Sequence, residues 1–334
     1  MTTTDRTRIE ELQRIHRVVS LYYVENRKQS EIAQIINQSV GTVNRLIRLG
    51  REMGIVEITI RSPFETADAL AARLTAASGL TRAVVAPTVS TEEAPNLRSA
   101  GRAAALLLAE QLRDGQTIAI TGGKGVSALI DALETTRRYD VTVVPLTGGV
   151  QGKHYTDVNH LSTLLAGKLC GRAHLVHVPM FAASAEERDT LMRVRSCVET
   201  FELARRADIA IVGIGSVHDE ASSYFDLTPM ARSDDGTIRA AGAEAELVAH
   251  LLTADGALAD YTLNHHVVSL APAELARIPF SFSVATGAAK TEAIASVLRG
   301  RYLTALVTDE RTAGRVVARL EEPAPPAKGS TEGP

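Results

Sequence analysis

Four stretches of the 334-residue chain have the composition to gather an anion. Gly122-Gly123-Lys124-Gly125, Gly148-Gly149-Val150-Gln151-Gly152, Gly213-Ile214-Gly215-Ser216, and Gly287 ahead of Lys290 each close an apolar run. Without a Cβ, backbone N–H groups can approach an anion closely, and a helix beginning just beyond adds partial positive charge. Converging on one sheet edge, such loops suit a phosphate-bearing or polyhydroxy ligand. Lys124 could add a point charge to a phosphate. Strand-end turns also use glycine for steric reasons alone, so only several such loops together point to a ligand. The first loop matches neither GxxxxGK[ST] nor GxGxxG, which removes the usual support for a nucleotide.

A second set of residues has the chemistry of nucleic-acid contact. In QSEIAQIINQSVGTVNRLIRLGREMGI, residues 29–55, Ser30 is placed to cap a short helix carrying Ile32, Ala33, Ile35 and Ile36. Asn37, Gln38 and Ser39 supply a polar turn. Ser39 caps a second helix with Val43, Leu46, Ile47 and Met53 at helical spacing. Its other face offers hydroxyl, amide and guanidinium groups of the kinds that bond to base edges and phosphates. In helix-turn-helix docking the start of the second helix meets bases, which assigns Val40, Gly41, Thr42, Asn44 and Arg45 to reading and Arg48 and Arg51 to phosphate, with the capping Ser39 completing the DNA-binding set. A preceding helix with Ile9, Leu12, Ile15, Val18, Val19 and Tyr22 completes a three-helix core, with Tyr22 and Tyr23 as packing residues.

Charge is distributed to match. Residues 1–62 hold 10 Lys/Arg and 7 Asp/Glu, a balance of +3, which leaves −6 of the total −3 for the remainder. A basic head on an acidic body favours docking by one end. Other chemistries find little footing. Cys170 and Cys197 are isolated, fit buried small hydrophobes, and agree with a reduced, cytoplasmic compartment. Among the nine histidines, His174 and His177 are read on one strand facing opposite sides, and His265-His266 are adjacent, so no metal set forms. No local signature suggests a catalytic triad, and Gly213-Ile-Gly-Ser216 is not a GxSxG elbow. No cofactor, membrane span or signal peptide is expected.

The elements that must position these loops alternate. Val56, Ile58 and Ile60 read as a short strand after the second helix, Pro63 marks a boundary, and a helix ending at Gly79 follows. RAVVAP, TIAITGG, VTVVPLTGG, AHLVHVP, RADIAIVGIGS, IPFSFSVATG and YLTALVTD then read as strands, most of them separated by helices ending near Arg113, Arg137, Gly171 and Gly300, before a last helix, DERTAGRVVARL. Apolar strands alternating with helices predict a parallel α/β sheet covered on both faces. The expected organisation is a helix-turn-helix domain over 1–62, an α/β effector domain over 63–321 and a disordered Pro/Gly-rich tail over 322–334.

QSEIAQIINQSVGTVNRLIRLGREMGIVEITI, VTVVPLTGG, ELARRADIAIVGIGS, LNHHVVSLAPAELARIP and VATGAAKTEAIASVLRGRYLTALVTDERTA resemble the SorC/DeoR-type family of bacterial sugar-binding transcriptional regulators, over nearly the whole chain. The resemblance implies a winged-helix-like DNA-binding head and a Rossmann-like effector domain similar in fold to sugar-phosphate isomerases and deaminases. It further implies binding, without turnover, of a sugar or sugar phosphate at the carboxyl edge of the sheet, operator DNA as partner, and a homodimer or homotetramer. By that resemblance Gly122 to Gly125 and Gly148, Gly149 and Gly152 match phosphate-contacting loops, Lys290 a ligand-contacting lysine, and Glu246 an acidic residue of the pocket. The segment around Glu246 departs from the family pattern at Ala245, His250 and Leu251, and Thr147 stands where some members have Arg or Lys, so an imine there is not expected. The competing reading is an isomerase- or deaminase-like enzyme with a helical extension, for which Glu246 is the one nameable general base.

Overall fold

The computed structural model describes residues 3–56, 66–150, 155–218, 222, 224–227 and 235–322. Two compact units divide the chain, 1–64 and 65–334. The anticipated strand beyond Val56, its boundary at Pro63, Gly152 and the tail from 323 onward lie outside the described residues.

The first unit holds α1 (Thr3–Tyr23), α2 (Gln29–Ile35) and α3 (Val40–Glu52). Ile15, Val18, Val19, Ile32, Ala33, Val43, Leu46 and Ile47 close its core. Ser39 caps α3 as expected, accepting the Thr42 amide at 3.2 Å, and Asn37 adopts φ 50° in the turn, a conformation Asn tolerates. Three expectations need correction. The cap of α2 is Lys28, whose amide donates to Glu31 Oε2 at 3.1 Å, which puts Ser30 inside the helix. Ile35 is exposed, because a helix as short as α2 turns only one narrow stripe inward, and Met53 is exposed at the C-cap beyond the last turn of α3.

In the second unit the chain runs α4 (Ala67–Ser78), β1 (Arg82–Ala86), α5 (Glu93–Gln111), β2 (Thr117–Ile120), α6 (Lys124–Ala132), β3 (Thr142–Pro145), α7 (Val158–Leu169) and β4 (Arg172–Ala173). It continues through α8 (Ala185–Met192), α9 (Arg195–Arg205), β5 (Ile209–Val212), β6 (Gly215–Ser216), α10 (Tyr224–Leu227), α11 (Asp235–Ala240), β7 (Ala243–Leu247) and β8 (His250–Thr253). The last elements are α12 (Pro272–Leu275), β9 (Phe280–Val284), α13 (Thr291–Arg299), β10 (Ala305–Asp309) and α14 (Glu310–Glu321).

Seven strands form one parallel sheet in the order β1-β10-β9-β5-β2-β3-β4. Alternate residues feed opposite cores. Ile118, Ile120 and Val143 pack with α5, α6 and α7, while Ala119 and Val144 pack with α4, α9, α13 and α14. From β2 the chain winds outward to β3 and β4, then returns to lay β5 on the other side of β2. That reversal creates a crevice at the carboxyl ends of β2 and β5, where open α/β sheets bind ligands.

AHLVHVP forms a strand only over Arg172–Ala173, and His174 and His177 are exposed rather than on opposite strand faces. Cys170 is exposed too, in a left-handed conformation (φ 58°) at the C-cap of α7, while Cys197 is buried, which pushes its thiol pKa up. A small antiparallel sheet, β6-β7-β8, stands at the crevice and was not anticipated.

Candidate functional site

The strand ends build the site. Beyond β2, Thr121 Oγ1 accepts the Gly213 amide at 3.0 Å, which ties the two strands at the crevice. Gly123 (φ 136°) turns the chain into α6 in a conformation that L side chains rarely adopt, and its amide donates to Tyr155 O at 2.6 Å. The first turn of α6 thus opens on the crevice with the positive end of its dipole. From β9, a 3-10 turn over Ala288–Lys290 leads into α13. Lys290 Nζ crosses to donate to Ile214 O at 2.8 Å.

These groups surround a cavity of about 330 Å³. Gly122, Gly123, Lys124, Gly125, Glu246 and Lys290 all line it. Gly148 and Gly149 do not, and their service is to packing. A Cβ on Gly148 would collide with the Pro179 carbonyl, and the Gly149 amide donates to Val178 O at 2.8 Å. Gly213, Ile214, Gly215 and Ser216 of the third glycine stretch line the cavity too, and so do residues not singled out from sequence: Thr121, Thr156, Thr286, Phe181, Tyr224 and the acidic Glu93. The surface is therefore rich in hydroxyl groups with two acids and two amines, suited to a polar molecule with many hydrogen-bonding groups.

Glu246, on β7, is the electrostatic centre. Burial pushes its carboxyl pKa up, against the pull of the Ala249 amide, which donates to Oε1 at 2.6 Å, and of the Lys290 charge. His250, after the hairpin turn, is held neutral. Burial drives its pKa down to about 4, while Nδ1 donates to Val248 O at 3.0 Å. Asp208 sits at the far, amino end of the sheet, where it accepts the Thr117 amide at 2.8 Å. Among the described residues no group of three His, Cys, Asp or Glu could hold a metal ion.

In the first unit, α3 presents Ser39, Val40, Gly41, Asn44, Arg45 and Arg48 to solvent, with Thr42 half-buried. Thr42 Oγ1 and Ser39 Oγ share a 3.0 Å hydrogen bond. Arg51 is exposed but folded back, its Nε donating to Tyr23 OH at 2.6 Å and its guanidinium 5.7 Å from the Tyr23 ring centroid. Arg48 lies 3.5 Å from Glu52 in an exposed pair that holds it weakly. The face is a polar and basic helix surface of the right make-up for a major groove.

No helix among the described residues is long and apolar enough to cross a membrane. Comparison with known proteins agrees with the architecture. Residues 62–318 match the family described as "Putative sugar-binding domain". The sorbitol operon regulator of Klebsiella pneumoniae is 29% identical over 309 residues, 91% of this chain and 97% of that protein. The erythritol catabolism regulatory protein EryD of Brucella abortus is 28% identical over 311 residues, 91% and 96% of the two chains. The crystal structure of full-length sorbitol operon regulator SorC from Klebsiella pneumoniae superposes with a TM-score of 0.71 at 28% identity, covering 92% of this chain and 98% of that one.

Proposed function

The chain belongs to the SorC/DeoR-type family of bacterial sugar-binding transcriptional regulators, and on that footing we propose that it is a DNA-binding regulator of a carbohydrate or polyol operon. Its effector, a sugar, polyol or sugar phosphate, occupies the cavity at the β2–β5 crevice. The observation that carries this reading is the conjunction of a hydroxyl-lined cavity around Glu246 and Lys290 with a three-helix unit presenting a basic recognition face. Lys124, Lys290 and the α6 N-terminus suit a phosphate, Glu246 suits sugar hydroxyls, and Arg45 with its neighbours on α3 suits base edges.

The protein binds its effector without turning it over. A proton-transfer enzyme needs a group poised to cycle its proton. Glu246 is instead engaged by a backbone amide, and no histidine lines the cavity among the described residues. The active species is a cytoplasmic homodimer or homotetramer, because one helix-turn-helix covers too little DNA for specificity and two heads must reach half-sites about 34 Å apart or a multiple of that. A thermal-shift screen of sugars, polyols and their monophosphates tests the effector reading. A ligand at ~100 times its Kd stabilises by about 2.7 kcal/mol. A screen in which no such compound raises the melting temperature contradicts it, as does turnover of any compound that does.

A further inference from the structure

Two local costs lie in the lining of the cavity. Thr147, just past β3, lines the cavity, and its hydroxyl is buried with no hydrogen-bonding partner among the described residues. An unmet buried hydroxyl is destabilising. Ser162, Ser283 and Thr308 also lack partners, but none of them lines the cavity.

The second cost is the two-residue turn Val248-Ala249, which joins Leu247 of β7 to its partner His250 of β8. Both residues are left-handed, at φ 46° and 67°. Hairpin turns of this kind ordinarily take Asn-Gly, and a β-branched residue there is an outlier. The surroundings hold the strain in place: Ala249 N–H donates to Glu246 Oε1, and Val248 O accepts from His250 Nδ1 and from Ser269 Oγ, each at 3.0 Å. The backbones of Ser269 and Thr147 pair in an isolated antiparallel β-bridge, so the two features are neighbours. Ala249 is 5% exposed and lines the cavity.

Packing alone asks for neither feature. Valine fills the volume of Thr147 without a polar atom, and glycine makes the turn at 249 without strain. Stability given up at a ligand-facing surface is the mark of a functional constraint. We propose that Thr147 and Ala249 determine the specificity of the cavity, Thr147 by hydrogen-bonding a neutral hydroxyl of the ligand and Ala249 by limiting, with its methyl group, the carbon-chain length admitted. The inference rests on the reading of the cavity as a sugar or polyol site.

Thr147→Val, Thr147→Ser and Ala249→Gly in the full chain test it, with erythritol, xylitol, sorbitol, a heptitol and their monophosphates as probes. Without probe, Thr147→Val and Ala249→Gly are expected to melt at or above the native temperature. Thr147→Val is expected to bind the best native probe about five- to tenfold more weakly, the loss of one hydrogen bond, while Thr147→Ser keeps native-like affinity. Ala249→Gly is expected to shift the ranking toward longer probes. Lowered melting of Thr147→Val or Ala249→Gly overturns the proposal, since it marks a structural role. Native affinity and ranking in both also overturn it. If no probe stabilises the native chain, the effector reading falls and takes this inference with it. If native and variants respond alike, only the inference falls.

Discussion

Glu246 and His250 flank one hairpin turn, yet they titrate with opposite consequences. A carboxyl whose pKa is raised by folding carries no penalty below its unfolded value near 4.5, and its penalty grows as pH rises through the folded value. Glu246→Gln should therefore melt higher than the native protein in mildly alkaline buffer, with the difference vanishing in acid, and should lose its response to effector. Calorimetry across pH checks this, and a lower melting point for the variant at alkaline pH contradicts it. His250 has the reverse sign. Its pKa falls from 6.5 to about 4, so its contribution is present above 6.5 and is lost as pH drops toward 4. That loss is on the order of 3 kcal/mol, and His250→Gln should flatten the corresponding part of the stability profile. An equal slope in both proteins would show that His250 is not buried neutral.

At the scale of elements, α3 has the sharpest prediction. Ser39→Ala removes the oxygen that accepts the Thr42 amide and should cost about 1 kcal/mol of stability in the first unit. Arg45→Ala should abolish preference for the operator while leaving effector-induced stabilisation intact. An unchanged footprint with Arg45→Ala refutes the base-reading role. Much of this was legible in sequence. Ser39 and Gly79 mark helix ends through cap chemistry, and the runs at Ile118, Val143, Ile209, Phe282 and Leu306 announce a parallel sheet because burial on both faces demands continuous apolar residues. The β6-β7-β8 sheet was not legible. Ala243–Leu247 alternates alanine with glutamate, residues poor in β-propensity, and its turn is Val-Ala where a hairpin normally shows Asn-Gly. Conversely, Leu175 to Val178 reads as a strand, but only Val176 is buried and this stretch bonds to Asn159 and Gly149 instead of a neighbouring strand. The glycines of the first loop line the cavity, whereas Gly148 and Gly149 answer a packing need that has the same sequence signature.

For the whole molecule, the proposed effector crevice and the proposed DNA-reading helix belong to one chain. The head carries +3 against −6 for the body, so binding should weaken with salt, with a slope near −0.9 for each phosphate neutralised. Allostery in this sense is a coupling free energy, typically ~1–3 kcal/mol, and by linkage it must appear from either side. The most direct measurement is operator affinity, by fluorescence anisotropy at fixed salt, with and without a saturating sugar, polyol or sugar phosphate that stabilises the protein thermally. A change of roughly 5–150-fold in either direction is expected. Identical affinities in the two conditions would contradict this coupling.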